Sequence, residues 1–244
     1  MTSALSRDDT PRVEPPAYQR VRPANIRRAH ARHHFAHHIR RLSAGIRALV
    51  PSLQLDPEGR LLDYGCADLP YRDLFPPTVE YVGADLPGNP QASLTLNADG
   101  TVPAADGSFD AVLSTQVLEH VQDPQLYLSE CYRVLRPGGR LLLSTHGVFM
   151  YHPDPMDLWR WTCEGLQLAV ETPGFEVVRF EGIIGLGATG LQLLQDAISF
   201  RIGERWKPWL AFVGQPLVAL ADRLETPESL RYNAQVFALV AAHP

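Results

Sequence analysis

The sequence predicts an α/β fold: a doubly wound, mostly parallel sheet of seven strands, with helices on both faces and an antiparallel last strand. Two observations support this fold class. Apolar segments of strand length alternate with helical patterns between residues 60 and 183, which is typical of βαβ units. One more apolar segment, NAQVFALVAA, follows a long helical stretch near the end of the chain. The 244 residues are enough to bury one large core.

Each predicted strand is a short apolar run that ends near a turn residue or an acid. In chain order the strands are RLLDYG, VEYVGADL, ASLTLNADG, SFDAVLSTQ, RLLLSTHG, FEVVRFEGII and NAQVFALVAA. Helices are predicted between several of them. ADLPYRDLF follows the first strand with Asp68 as its N-cap, Asp123 and Pro124 begin a second helix, and Thr162 caps CEGLQLAVE.

The chain divides into three predicted regions. Residues 1–23 combine prolines and charges and predict a disordered N-terminal tail. Residues 24–50 predict a basic, histidine-rich helix that we expect to act as a lid over the ligand site of the main domain. Residues 51–244 form the main domain, which includes a helical insert at about 185–226.

The charge is distributed unevenly along the chain. Residues 1–47 hold ten arginines and three acids, a charge of +7, so the net charge of −5 leaves −12 for the remainder. We expect this basic segment to dock on the acidic body of its own chain. The alternative is a contact with phosphates of a substrate or of nucleic acid.

The cysteines and the N-terminal residues indicate the compartment. The three cysteines are widely spaced and form no CxxC pair, which favours a reducing compartment without disulfides or a structural zinc site. The first sixteen residues lack the apolar core of a secretion signal, and the longest apolar run is too short to span a bilayer. The sequence therefore predicts a cytoplasmic protein.

Glycines and acids stand at the carboxyl ends of three consecutive predicted strands. Gly65 turns the chain after the first strand, Asp85 ends the second, and Asp99 with Gly100 follows the third. In a parallel sheet these carboxyl ends lie at one edge, where ligands bind. An acid twenty residues after a glycine turn is the acceptor that ribose hydroxyls require. The sequence predicts a nucleoside-containing cofactor at this edge.

With these positions in place, residues 61–182 resemble the small class I S-adenosylmethionine-dependent methyltransferases. The family loop Asp-x-Gly-Cys-Gly is matched by residues 63–67, with Ala67 and then Asp68 where glycine is common. Further stretches resemble the family's strands and loops: YVGADL, SFDAVLSTQVLEHVQDP, RVLRPGGRLLLST and HPDPMDLWRWTCEGL. The last of these resembles a subgroup found near cell-surface sugar and specialised-metabolite pathways.

The resemblance implies a cofactor, an acceptor class and binding positions. The cofactor is S-adenosyl-L-methionine, with S-adenosyl-L-homocysteine as product. The acceptor is a small molecule, and transfer to a hydroxyl of a sugar or specialised metabolite is expected. The implied cofactor-binding residues are Asp63, Gly65, Cys66, Ala67, Asp85, Leu86, Asp99, Gly100, Ser114 and Thr115.

A hydroxyl acceptor needs a base with a pKa near neutrality. His146 ends the fifth strand and His152 follows in the next loop, so these histidines are the candidate catalytic residues. The same loop supplies the candidate substrate residues Tyr151, Asp154 and Trp159. His120 is equally well explained as a residue that braces its helix.

Other functions remain open at this point. GLGATG at residues 185–190 has the form of a dinucleotide loop, but no acid ends a strand some twenty residues later. The histidines of residues 30–38 and the acids Asp154 and Asp157 are incomplete as metal sites, and no metal is expected. A nucleic-acid methyltransferase using the basic segment and a non-catalytic cofactor-binding module are the remaining alternatives for the chain. The insert at 185–226 can form a second acceptor wall, a homodimer face or a surface that tolerates lipid carriers.

Overall fold

The computed structural model describes residues 33–153 and 156–244. One sheet contains seven strands in the order β3-β2-β1-β4-β5-β7-β6. Their bounds are β1 Arg60–Tyr64, β2 Glu80–Asp85, β3 Leu94–Thr95, β4 Phe109–Thr115, β5 Leu135–His146, β6 Glu176–Ile183 and β7 Val236–Ala242. The helices are α1 Ala36–Leu49, α2 Pro124–Val134, α3 Cys163–Glu171, α4 Leu186–Ser199, α5 Lys207–Arg223 and α6 Pro227–Asn233.

The strand directions confirm the predicted fold class. β1 pairs in parallel with β2 and β4, β2 with β3, and β4 with β5. β7 lies between β5 and β6 and is antiparallel to both. The long third strand expected from ASLTLNADG is reduced to Leu94 and Thr95 at the edge of the sheet.

Alternating side chains of the central strands enter two apolar layers, one on each face of the sheet. On β1, Leu62 and Tyr64 face the layer covered by α2 and α3, whereas Leu61 faces the layer covered by α1 and α5. These side chains are almost fully buried. Because burial of a large apolar side chain contributes about 1.5–3 kcal/mol, the two layers hold the sheet rigid beneath its carboxyl edge.

Helix α1 packs into the core along its apolar face, and the lid role expected for residues 24–50 stays a prediction. Leu42, Ile46 and Leu49 are buried and pack in the same apolar layer as β7 and α5. The described helix begins at Ala36. The predicted tail at 1–23 and the first part of the predicted helix lie outside the described residues.

The predicted helix over ADLPYRDLF is wrong. Ala67 and Leu69 have φ angles of +46° and +55°, outside the helical region, and Pro70 cannot donate a helical hydrogen bond. Only Arg72–Leu74 form a short 3-10 turn. The two later caps are confirmed: Asp123 accepts from two amides of α2, and Thr162 accepts from Gly165 N.

The glycine-rich segment GLGATG opens helix α4 and binds carboxylates of its own chain. Gly185 N donates to Asp222 at 3.0 Å, and Gly187 N donates to Glu225 at 2.5 Å. A phosphate would need these same amides at the positive end of the helix. This arrangement disfavours a dinucleotide at that position.

The cysteines and the helix lengths bear on the predicted compartment. Cys66, Cys131 and Cys163 form no disulfide with one another. Within residues 33–153 and 156–244, no helix combines the length and apolar character required to cross a membrane.

Candidate active site

The carboxyl ends of β1, β2, β4 and β5 meet at one edge of the sheet because these strands are parallel. We call the loops after β1 and β2 the cofactor half. The loops after β4 and β5 are the acceptor half. Every described candidate site residue except Asp99 and Gly100, which follow β3, lies within or next to these two halves.

The loop after β1 makes a tight turn against its neighbours. Gly65 has a φ of +81°, and a Cβ built there would lie 2.5 Å from Val117. Cys66 packs so closely on β2 that a Cβ at Gly83 would lie 2.9 Å from its sulfur. The glycines therefore allow the loop to lie directly on the sheet edge.

Asp85 ends β2 and fixes this loop. Its carboxylate accepts from Ala67 N at 3.0 Å, from Leu86 N at 2.8 Å and from Asn89 Nδ2 at 2.5 Å. A carboxylate has about four acceptor positions, so capacity for a further hydroxyl remains. Leu86 follows with its side chain exposed.

Asp63 lies beneath the loop rather than in the open edge. It is 1% exposed and accepts from the hydroxyl of Tyr81 at 2.5 Å. Burial raises the pKa of Asp63 to about 7, against the opposing effect of the Tyr81 hydrogen bond. The contact between β1 and β2 accounts for this acid without a ligand.

Asp99 and Gly100 form an exposed turn after β3. Asp99 accepts from the Thr101 hydroxyl at 2.7 Å and from its amide at 3.0 Å, and these bonds lower the pKa of Asp99. Gly100 has a φ of +86° and its carbonyl accepts from the hydroxyl of Tyr64.

Ser114 and Thr115 end β4 in different environments. The Ser114 hydroxyl is buried and lies 2.8 Å from the hydroxyl of Tyr127 on α2. That contact directs Ser114 into the core. Thr115 is half-buried at the strand end, next to Gln116 with a φ of +56°.

The cofactor half fits a ligand that carries hydrogen-bond donors. Asp68 Oδ1 in this half, and Gln116 Oε1 beside it at the end of β4, are buried oxygens without a hydrogen-bond partner. S-adenosylmethionine carries an ammonium group, ribose hydroxyls and an adenine amino group, all of them donors. A buried acceptor left unpaired costs about 1–3 kcal/mol, which such a ligand would recover.

The acceptor half contains a buried acid, Glu119, beside a buried histidine. Glu119 Oε2 accepts from the hydroxyl of Thr145 at 2.8 Å, and Oε1 lies 3.3 Å from His146 Nε2. Burial raises the pKa of Glu119 to about 7. Burial also holds the pKa of His146 well below its usual range, so its ring is neutral at neutral pH.

His152 lies in front of this pair and contacts a clamped carboxylate. Its Nδ1 is 3.3 Å from Asp157 Oδ2, and its ring meets His146 edge-on at 4.7 Å. Arg160 binds both oxygens of Asp157, at 2.5 and 2.6 Å. Although burial acts to raise it, these bonds lower the pKa of Asp157 to about 2. Burial lowers the pKa of His152 as well, against the charge of Asp157.

Helix α1 contributes a third imidazole, from His38. Its Nδ1 lies 2.8 Å from Gln235 Oε1, and its ring centroid lies 6.0 Å from that of His146. Burial lowers the pKa of His38 to about 4. Phe149 stacks on His146 at 3.9 Å and closes the layer.

The Nδ1 of His120 contacts the carbonyl of Met156, so this histidine braces the loop after β4 against the loop after β5. It also belongs to a group with Glu119 and His152 in which one possible metal-ligating atom from each lies within 4.8 Å of the others. This group has the composition of a cation site. The sequence-based expectation of no metal remains a prediction.

The predicted substrate residues differ in position. Tyr151 is 70% exposed beside His152, and Trp159 is partly exposed with its indole N–H bonded to the carbonyl of Val121 at 2.8 Å. Asp154 lies outside the described residues. Trp161 Nε1 is buried without a hydrogen-bond partner.

Sequence reasoning missed Glu119, the Arg160 clamp on Asp157, and His38. An acid inside the apolar run VLEHV was a usable signal for Glu119. The three-residue spacing of Asp157 and Arg160 was another. Nothing local distinguishes His38 from the other histidines of residues 30–38, because its role depends on the packing of α1.

The fold and edge geometry agree with comparisons to known proteins. Residues 59–143 match the family described as a methyltransferase domain. A ubiquinone biosynthesis O-methyltransferase of Cereibacter sphaeroides is 38% identical over 100 residues, covering 35% of this chain and 40% of that protein. The chain spans about two fifths of the length of such curated relatives.

Solved structures share the fold at low identity. The (4+2)-cyclase SpnF superimposes with a TM-score of 0.58 and 19% identity, over 88% of this chain and 84% of that one. Phosphoethanolamine N-methyltransferase 2 of Haemonchus contortus, solved with S-adenosyl-L-methionine, gives 0.51 and 19%, over 82% and 52%. Residues 59–143 thus match a methyltransferase domain, and the chain as a whole shares the fold of proteins solved as S-adenosylmethionine-dependent methyltransferases.

Proposed function

We propose that the chain transfers a methyl group from S-adenosylmethionine to a hydroxyl of a small molecule. The observation that carries this proposal is the group of neutral imidazoles and carboxylates at the carboxyl ends of β4 and β5. When bound, the cofactor supplies a methyl group activated by a sulfonium. Removal of the hydroxyl proton is then the task left to the protein.

His152 is the proposed base. Its side chain is 26% exposed, whereas that of His146 is 4% exposed, so an acceptor in the open edge reaches His152 first. Asp157 beside Nδ1 favours the tautomer with the proton on that nitrogen, which leaves Nε2 free to accept. Arg160 keeps the carboxylate of Asp157 ionised and in place.

His146 and Glu119 form the supporting layer behind His152. Both side chains are buried, so they orient the base and set its electrostatic surroundings rather than touch the acceptor. On the other side of the edge, Asp85 and the loop at residues 65–67 are proposed to hold the nucleoside, with Asp99 and Gly100 near adenine. Asp63 and Ser114, whose polar atoms already have protein partners, support this shell from beneath.

Tyr151 and Trp159 are proposed to contact the acceptor, because both lie in the segment after β5 that also carries His152 and both expose aromatic surface. Such surfaces suit the apolar face of a sugar or the ring of a specialised metabolite. The class of acceptor therefore combines a hydroxyl with a ring or a similar flat face.

A labelled-methyl screen tests this function. The purified chain is incubated with S-adenosylmethionine tritiated on the methyl group and with fractions of a metabolite extract. We expect label in a small-molecule product that resists mild alkali, as a methyl ether does. Label found in added RNA or DNA, or S-adenosylhomocysteine binding without transfer to any fraction, would contradict it.

A further inference from the structure

Helices α4 and α5 form a hairpin whose inner surface is polar. Gln192, Gln195 and Gln215 are almost completely buried between the helices. Gln215 Nε2 donates to Gln192 Oε1 at 2.9 Å and to Gln195 Oε1 at 3.3 Å. All three amides also donate to the carbonyl of His34. A water-facing hairpin normally buries apolar residues and exposes polar ones, so this arrangement is inverted.

The outer surface of the hairpin is correspondingly apolar, and we call it the hairpin face. Exposed positions on α4 and on α5 up to Leu220 carry no charged side chain. Several of the large side chains are about half exposed or more. The hairpin face consists of Leu186, Leu191, Leu194, Ile198, Trp209, Phe212, Val213, Leu217 and Leu220.

Basic residues lie at both ends of this face. Arg201, Arg205 and Lys207 surround the turn between the helices, and Arg223 ends α5. Lys207 pairs with Glu204 at 2.5 Å. The guanidinium groups of Arg201, Arg205 and Arg223 have no carboxylate partner in the part of the chain that the structure describes.

Aromatic side chains accompany the basic residues at the turn. Phe200 is 76% exposed, Trp206 54% and Trp209 59%. Tryptophans beside arginine and lysine, at the border of an apolar helical face, are typical of segments that lie in the interfacial region of a bilayer.

We propose that the hairpin face binds the surface of a membrane that contains anionic lipids. The apolar side chains enter the upper acyl region, while the arginines at both ends contact the phosphates. The absence of a membrane-crossing helix among the described residues agrees with a hairpin lying along the surface. This proposal does not depend on the methyl acceptor.

Charge distinguishes this occupant from a second copy of the chain. If two hairpin faces packed with their helices parallel, the turns with Arg201 and Arg205 of each copy would oppose one another. Anionic headgroups complement these arginines, and Arg223 at the other end, where Asp222 and Glu225 already bind amides of their own chain. Large uncharged patches mark interaction surfaces in general, and here the basic residues at the ends of the hairpin face favour an anionic partner.

Co-sedimentation with vesicles tests the proposal. The full chain is mixed with vesicles of phosphatidylcholine alone or of phosphatidylcholine with phosphatidylglycerol. We expect binding to the mixed vesicles that weakens with added salt. The double variant Trp209→Ser with Phe212→Ser should bind about tenfold less, because it removes buried apolar area. Circular dichroism verifies that this variant is folded.

Leu168→Ser is the matched control, since Leu168 is 69% exposed on α3, outside the hairpin face. It should bind the mixed vesicles as the parent does. Equal, weak binding of the parent to both kinds of vesicle would overturn the proposal. So would a stable dimer in light scattering that the double serine variant dissociates, because that outcome assigns the hairpin face to a second copy.

Discussion

The two halves of the carboxyl edge treat their polar atoms differently. In the cofactor half, Asp85 accepts three hydrogen bonds from the chain and Asp63 accepts one from Tyr81. Among the described residues of this half, Asp68 Oδ1 is the one buried polar side-chain atom without a hydrogen bond. In the acceptor half, Glu119 Oε1 and the Nδ1 atoms of His146 and His152 are buried without a hydrogen bond.

This difference indicates a division of tasks. A largely satisfied shell is rigid and suits a ligand that is held in one orientation. Buried polar atoms without partners cost stability, and proteins retain them where a substrate or a proton completes the site. Under the proposed function, the cofactor half binds and the acceptor half performs the proton transfer. The following predictions test that division.

The largest effect is expected from the proposed base. His152→Gln should lower the rate about 10²–10⁴-fold, because it removes the proton acceptor. The rate is measured as S-adenosylhomocysteine release with the acceptor fraction found in the label screen. His243→Gln, at the opposite end of the sheet, is the control and should keep the parent's rate. A full rate in His152→Gln would show that this residue only shapes the pocket.

Substitutions in the cofactor half should weaken the binding of S-adenosylhomocysteine. Asp85→Ala is expected to weaken S-adenosylhomocysteine about ten- to a hundredfold, because it removes a ribose acceptor and loosens the loop at Ala67. Asp99→Ala should reduce the affinity for S-adenosylhomocysteine less, since Asp99 is exposed to water. Equilibrium dialysis measures both. A larger loss in Asp99→Ala would reverse the assignment.

Stability should depend on pH through Asp63. Burial raises the pKa of Asp63 to about 7 in the folded chain, from an ordinary value of 3.8. A raised pKa means that the stability from the protonated form is present at low pH and is lost as the pH rises through about 7. Asp63→Asn mimics the protonated acid. It should therefore match the parent near pH 4 and exceed it by about 2 kcal/mol at pH 8 in urea unfolding. A difference in unfolding free energy between parent and variant that stays constant from pH 4 to pH 8 would contradict the raised pKa of Asp63.

Turnover should have a pH limit set by His152. Burial lowers the pKa of His152 below 6.5, so the base form persists at neutral pH. We expect a steady rate around pH 7 that falls as the pH drops below about 6.5. A rate that instead rises steeply above pH 8 would point to an acceptor that ionises by itself.

Chelation should have the smallest effect. Proton transfer to an imidazole needs no cation, so dialysis against EDTA should change turnover by less than about twofold. A loss of activity that added manganese or zinc restores would instead make Glu119, His120 and His152 a metal site.

The positions of Gly65 and Asp85 in the cofactor half, and of Asp99 after β3, could be predicted from the sequence because each stands at a strand end that the apolar pattern marks. Their contacts with a cofactor stay predictions. The helix over ADLPYRDLF could not be excluded in the same way. The positive φ angles of Ala67 and Leu69 arise from packing against β2 and from Asp85, not from local propensity.

The acceptor half depends on contacts between distant segments. His38 approaches His146 only because α1 packs into the core beside β7, which no local pattern reveals. The pairing of Glu119 with His146 likewise joins the loop after β4 to the end of β5. Sequence patterns identified the histidines of the loop, but the buried acid and the clamp by Arg160 required the fold.

Calorimetric titration of S-adenosylhomocysteine into the parent, Asp85→Ala and His152→Gln tests the division of tasks most directly. The parent should bind one equivalent, Asp85→Ala should bind about ten- to a hundredfold more weakly, and His152→Gln should bind as the parent does. No binding to the parent, or an equal loss in both variants, would contradict the account.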